Sequence, residues 1–327
     1  MSNLFTEFSI KNLKIKNHIS VPPMAVAVSD EGYVTQKMID HYKKIAQGGP
    51  GLIIQEATCI NMDGRFSEKQ LGIWDDDHIK GLKQIVEAVH KEDCKILIQI
   101  QYSGLTGISE NSLSPSPYKH EIFGRSYEVK QEMTVDEIKS IQNDYVQAAR
   151  RAYEAGYDGV ELHGSRSFLI CQFLNSSVNK RTDAYGKIPE KFAIEIIDAI
   201  RDIIPDDFLV GIRLGGFEST LEDGILHAQA MENCGADFVD IGDGFFGEQD
   251  ARVSEGYPYS HTIYAAEKIK AKVMIPVFAV GGIKTGEQAE EIFANTKVDI
   301  MNVGRAFLEN ANWANEVKEK ADRNNRN

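Results

Sequence analysis

Nothing in this sequence offers a surface for tracking phosphates: 36 basic residues face 49 acidic ones, the formal net charge is -13, and no basic cluster is long enough to follow a nucleic-acid backbone. No nucleic-acid partner is expected. Cysteine is scarce, and Cys59, Cys94, Cys171 and Cys234 lie far apart with no C-x-x-C pair, which argues against a zinc or iron-sulfur site and against a disulfide framework. No metal is expected, and the pattern fits a reducing cytoplasm. Long apolar runs are missing too: none approaches the roughly 20 residues of a membrane span, and the amino terminus has no basic region ahead of an apolar one. The expectation is a soluble, unprocessed, cytoplasmic chain that does not engage membranes. A G-x-G-x-x-G turn between strand and helix, the mark of a dinucleotide-binding fold, is also absent.

What is present is an alternation. Short β-rich apolar runs recur at Ile19 to Met24, Leu52 to Thr58, Ile96 to Tyr102, Gly159 to His163, Leu209 to Leu214, Phe238 to Ile241, Val277 to Val280 and Asp299 to Val303, separated by longer amphipathic segments. Parallel strands joined by helical crossovers give that pattern. Eight units without an intervening linker predict an α/β fold of the closed (β/α)8 barrel type, one domain over residues 1–327. Leu4 to Lys16 is expected to cap the barrel bottom.

Helix starts are marked by chemistry as well as by period. Thr134-Val135-Asp136-Glu137 reads as a capping box with Met133 and Ile138 as its hydrophobic staple, Gly156 as the stop, and Thr285 to Gln288 as a second box. Gly104 to Met133 is too long for an ordinary loop after the third strand, which makes it a candidate substrate lid. The polar tail after about Glu319 is expected to fray.

Two strand ends near the carboxyl terminus are built for an anion. Gly281 and Gly282 follow one apolar run and Gly304 another, so backbone N–H groups can approach a phosphate closely, and Arg305 adds a fixed charge. Such a pair of loops commonly holds phosphate in these barrels. The loops alone do not separate a flavin phosphate from a phosphosugar.

Four other segments separate them, through a resemblance that the stretch from Asp158 to Asn175 carries. Apolar Val160 and Leu162 give way abruptly to His163, Ser165 and Arg166, and Asn179-Lys180-Arg181-Thr182-Asp183 follows. This resembles the old yellow enzyme family of FMN-dependent oxidoreductases, in which a strand-end histidine precedes a Gly-Tyr-Leu helix start and an Asn-x-Arg-Thr-Asp loop. The resemblance runs from about Asn3 to Trp313. It implies that the first-strand segment through Pro23, Met24 and Ala25 and the second through Ala57 lie along FMN, with Gln99 on its pyrimidine edge and Arg213 near N1 and O2. Gly281, Gly282, Gly304 and Arg305 take the phosphate, and His163 donates to a substrate oxygen.

Three positions depart from the family pattern. Arg166 replaces a second His or Asn, Phe168 replaces the proton-donating Tyr, and Ala25 replaces a Cys or Thr. Tyr102, after the third strand, is the nearest candidate for a substitute donor. Cys171, with mostly apolar neighbours, is expected to be buried and inert. The implied activity is transfer of hydride from NADH or NADPH, through FMN, to an electron-poor acceptor such as an activated alkene, quinone, nitro or extended conjugated compound, including carboxylated ones in view of Arg166. Two alternatives stay open: a flavin-free barrel lyase or isomerase acting on a phosphosugar, and an FMN protein for electron transfer or sensing. Barrels of this family often associate, so a homo-oligomer is a further expectation.

Overall fold

The computed structural model describes residues 3–122, 124–247 and 250–324. All eight apolar runs are strands of one closed parallel barrel: β1 (Ile19–Val21), β2 (Leu52–Cys59), β3 (Lys95–Gln101), β4 (Gly159–Gly164), β5 (Leu209–Gly215), β6 (Val239–Gly242), β7 (Val277–Val280) and β8 (Ile300–Asn302). They pair in chain order, and β8 closes on β1 through Met301 opposite Ile19 and Asn302 opposite Ser20. β1 ends at Val21 rather than Met24, because Pro22 and Pro23 have no N–H to give to a ladder.

Alternation along each strand divides the interior from the helix-covered outside. Ile96, Ile98 and Ile100 of β3, with Val160 and Leu162 of β4, belong to the outer core under the crossover helices. Leu52, Ile54, Leu97, Leu209, Phe238, Phe278 and Ile300 fill the lower half of the barrel, where the Phe238 and Phe278 rings stack at 4.5 Å. Ile10 and Ile15 join that cluster from the antiparallel pair Phe8–Ile10 and Leu13–Ile15. The bottom is thus plugged with hydrocarbon, as the run from Leu4 to Lys16 suggested. Higher up, the inward positions turn polar and form the floor of a site.

The long helices close the crossovers. Helix α1 (Gln36–Gln47) follows β1, α2 (His78–His90) follows β2, and α3 (Val135–Ala155) carries both arms of the expected box, with Glu137 N donating to Thr134 Oγ1 at 3.2 Å and Thr134 N to Glu137 Oε2 at 2.7 Å. The box at Thr285 is only half formed. Gln288 N donates to Thr285 Oγ1, but the Gln288 carbonyl is taken by Lys284 N instead of reaching back to the cap. Residues 104–133 hold a short 3-10 turn, Gly104–Thr106, and a hairpin of Tyr118–Ile122 with Arg125–Val129. The tail does not fray at Glu319: helix Trp313–Asn324 carries on through it, and Lys320 pairs with Glu287. Among the described residues, no helix is long and apolar enough to cross a membrane.

Candidate active site

The inward side chains at the carboxyl ends of β3 to β6 form one polar layer. His163, Arg213 and Asp240 sit side by side on a single rung across β4, β5 and β6, and Gln99 stands opposite Glu161 across β3 and β4. Arg213 Nη1 lies 3.2 Å from Asp240 Oδ2, Asn302 Nδ2 donates to Asp240 Oδ1 at 2.9 Å, and Gln99 Nε2 donates to Glu161 Oε1 at 2.7 Å. A side chain on Gly242 would crowd the guanidinium, its Cβ coming within 2.8 Å of Arg213 Nε. Glycine there leaves Arg213 room to lie across the barrel. Arg213 Nε, Asn302 Oδ1 and Ser20 Oγ are buried without a hydrogen-bond partner among the described residues. Orphaned polar atoms are costly in such a place, so a polar-edged ligand is what this floor is shaped to meet.

His163 is buried, and its environment decides its charge. Burial first, then the Arg213 and Arg166 charges, hold the imidazole well below its usual range, so it is neutral at physiological pH. Its Nδ1 lies 3.3 Å from Ser165 Oγ. With that hydroxyl donating to Nδ1, the proton sits on Nε2 and the ring is a hydrogen-bond donor.

Around this floor the strand-end loops supply the rest. Gly282 is exposed with a φ of 70°, and its backbone faces open space. Gly304 opens the short helix Arg305–Glu309, and exposed Arg305 has no ion pair among the described residues. Met24 packs on Gly304, which brings the end of β1 to the β8 loop. Ala25 is exposed beyond Pro23 and Met24, and the next residue, Val26, donates its N–H to Glu56 Oε2 at 3.0 Å. Half-buried Ala57, on the neighbouring strand, accepts from Gln70 Nε2 at 2.9 Å.

The turn after β4 is strained and laced down. Arg166 and Ser167 both take left-handed conformations, φ 55° and 66°, which cost non-glycine residues about 1–2 kcal/mol each. The turn is held by Arg166 N donating to Asp243 O, Phe246 N to Ser167 Oγ and Gln172 Nε2 to Ser167 O, at 3.0, 2.9 and 2.7 Å. The half-exposed Arg166 guanidinium lies over the Phe246 ring at 5.1 Å and 3.9 Å from Asp243 Oδ2. Phe168 meets the His163 ring edge-on at 4.6 Å and stacks with Phe66 at 5.7 Å.

Tyr102 does not join this group. Standing one position beyond the inward Gln101, it turns to the outer face, where its ring is buried against Gly64. Cys171 is buried as expected; burial pushes the thiol up, and it donates to Glu218 Oε2 at 3.2 Å. Sequence reasoning passed over Glu161, Asp240, Asn302, Glu218 and Phe66. The first three carried a signal, since a polar residue inside a buried apolar run must face another polar group.

Residues 3–324 match the family described as NADH:flavin oxidoreductase / NADH oxidase. An "NADH oxidase" of Thermoanaerobacter brockii is 36% identical over 337 residues, 97% of this chain but 51% of that protein, so the chain spans about half its length. An "NADPH dehydrogenase" of Bacillus velezensis is 36% identical over 320 residues, 95% of this chain and 93% of the relative. Among solved structures, morphinone reductase in complex with tetrahydroNAD superposes with a TM-score of 0.80 at 25% identity, covering 98% of this chain and 91% of the other. A 2-naphthoyl-CoA reductase complex reaches 0.89 at 24% identity over 98% of this chain and 52% of that one, a likeness of fold. With the family matched almost end to end and a relative covered over nearly its whole length, the chain belongs to the NADH:flavin oxidoreductase / NADH oxidase family of FMN-dependent enzymes.

Proposed function

We propose that this chain is an FMN-dependent NAD(P)H oxidoreductase whose acceptor is electron-poor and gives a stabilised reduced form: a quinone, nitro or extended conjugated compound, with activated alkenes slower. The observation that carries this reading is the neutral, donor-ready His163 next to the Arg213 cation on a buried floor, walled by Phe168 and Phe66, neither of which has a proton to give. Bound FMN would supply the two-electron chemistry between a nicotinamide donor and the acceptor. The donor set fits it. Gln99 and Arg213 would meet the polar edge of the ring, Pro23, Met24, Ala25 and Ala57 would lie along it, and the backbones of Gly281, Gly282 and Gly304 with Arg305 would hold the phosphate.

His163 would polarise the acceptor oxygen by donating a hydrogen bond where negative charge develops. Arg166 stays charged and offers a planar fork to a carboxylate on the acceptor, in competition with Asp243. The dehydrogenase name of one relative and the bound tetrahydroNAD of one structural neighbour support a nicotinamide donor, without choosing NADH over NADPH.

The test is rapid mixing of the purified protein. It should be yellow, bleach with NADH or NADPH, and regain colour fastest with a quinone or nitro compound. Arg305→Ala should loosen the flavin about tenfold, the worth of one charge-assisted hydrogen bond. Colourless protein that FMN cannot reconstitute overturns the reading, and reoxidation that no organic acceptor accelerates marks an electron-transfer protein instead.

A further inference from the structure

Two carboxyl groups share the polar floor with a single cation. Glu161 and Asp240 are each 0% exposed, one on either side of Arg213 in the barrel interior. The other groups facing them add no positive charge: Gln99 and Asn302 are neutral amides, Ser20 is a hydroxyl, and His163 is held neutral by burial and the nearby arginines. Arg166 lies out at the mouth, beside Asp243. Two carboxylates against one guanidinium would leave a negative charge uncompensated in a desolvated layer, which costs several kcal/mol.

The hydrogen bonds carry the same message. Gln99 satisfies Glu161 Oε1 and Asn302 satisfies Asp240 Oδ1, while neither Glu161 Oε2 nor Asp240 Oδ2 receives a well-aligned hydrogen bond, Asp240 Oδ2 having only its ion-pair contact with Arg213 Nη1 at 3.2 Å. The two side chains face each other, and one proton between them satisfies both orphaned oxygens. We propose that Glu161 and Asp240 share one proton and serve as positioning residues for the cofactor, a neutral acid and an anion that fix the Gln99 amide and the Arg213 guanidinium. Glu161 carries the proton, because Arg213 lies on the Asp240 oxygen and favours its anion. Burial, and then the Asp240 charge, raise the Glu161 carboxyl well above the carboxylate range.

The pair sets what the floor presents. With Gln99 Nε2 committed to Glu161, the Gln99 carbonyl is left as an acceptor, and Arg213 Nε is left as a donor. An acceptor beside a donor complements the adjacent N–H and C=O of a cyclic imide, the chemistry of one edge of the flavin ring. The role toward the cofactor rests on the FMN reading above; the shared proton does not.

Infrared spectroscopy of the holoprotein, and of protein stripped of cofactor, tests both parts. At about pH 9, where Glu56 and Glu218, each pushed up to about 7, are ionised, the wild type should show a carboxylic-acid C=O band that shifts in D2O and is absent from Glu161→Gln and from Asp240→Asn, in which the remaining carboxyl becomes the sole counter-ion of Arg213. Glu161→Leu, which leaves Gln99 Nε2 without its acceptor, should lower FMN affinity at least about tenfold, and Glu161→Gln, whose amide accepts from Gln99 as the acid does, should restore it to within about threefold of wild type. No acid band in the wild type, or a band surviving in both variants, overturns the proton sharing. An FMN affinity in Glu161→Leu within about threefold of wild type, or no restoration in Glu161→Gln, overturns the positioning role. Wild type that shows the band yet binds no FMN refutes the functional reading, so the two failures are told apart.

Discussion

Glu218→Gln should remove a pH dependence of stability that the fold builds in. Glu218, in the loop after β5, is 1% exposed; its Oε1 accepts from Asn175 Nδ2 at 2.8 Å and from Phe245 N at 3.2 Å, and its Oε2 accepts from the Cys171 thiol. One side chain thus ties together the loops after β4, β5 and β6, which carry Arg166, Phe168 and Asp243. The hairpin from residues 118 to 129 leans on the same place, Tyr118 meeting Phe245 edge-on at 5.8 Å. Burial pushes the Glu218 carboxyl from 4.5 to about 7.

The folded protein therefore keeps a proton that the unfolded chain has released between about pH 4.5 and 7, so stability is greatest below that window, falls as pH rises through it and then levels off. At about 1.4 kcal/mol for each tenfold in proton affinity, the loss is about 3 kcal/mol. Glutamine mimics the neutral acid and has no proton to lose. Urea unfolding of both proteins from about pH 4 to about pH 8 should show the variant gaining on wild type by about 3 kcal/mol. Glu56, also pushed up to about 7, adds the same slope to both and cancels. A stability difference that stays constant across the window would refute the reasoning.

Arg213→Ala should lower the flavin midpoint by roughly 20–60 mV, the two-electron equivalent of about 1–3 kcal/mol lost from the anionic reduced state, and an unchanged midpoint in FMN-loaded variant would show the residue is misplaced. Phe168→Tyr restores a hydroxyl beside His163 and should raise kcat for simple cyclic enones by about 100-fold, while leaving quinone reduction alone; equal effects on both would refute it. Arg166→Ala should raise KM for a carboxylated acceptor by about tenfold relative to a neutral analogue. Unaltered selectivity in steady-state kinetics would mean that Arg166 serves only to hold Asp243 and Phe246.

The barrel was legible in the sequence because strands buried on both faces read as short apolar runs, and the eight runs fall on the eight strands within a few residues. The strand-end location of His163, Gln99 and Arg213 and the glycines of the last two loops were legible too, since each is a local break from apolar to polar or flexible. What the sequence left undecided was which way a side chain faces at the end of a strand and what it meets there. Tyr102 stands one residue past Gln101, and that single step turns it from the interior to the helix side. At Thr285, Gln288 had a nearer donor in Lys284, so a complete-looking capping box formed by half.

Charge was decided later still. His163 is neutral because the closed barrel buries its ring and then brings two arginines near it, and Glu161 is an acid because burial, and then Asp240 of β6, raise its carboxyl. A residue's place on its strand follows from local alternation and could be read from the chain; its protonation follows from desolvation and from charges on other strands, which exist as neighbours only once the barrel has closed.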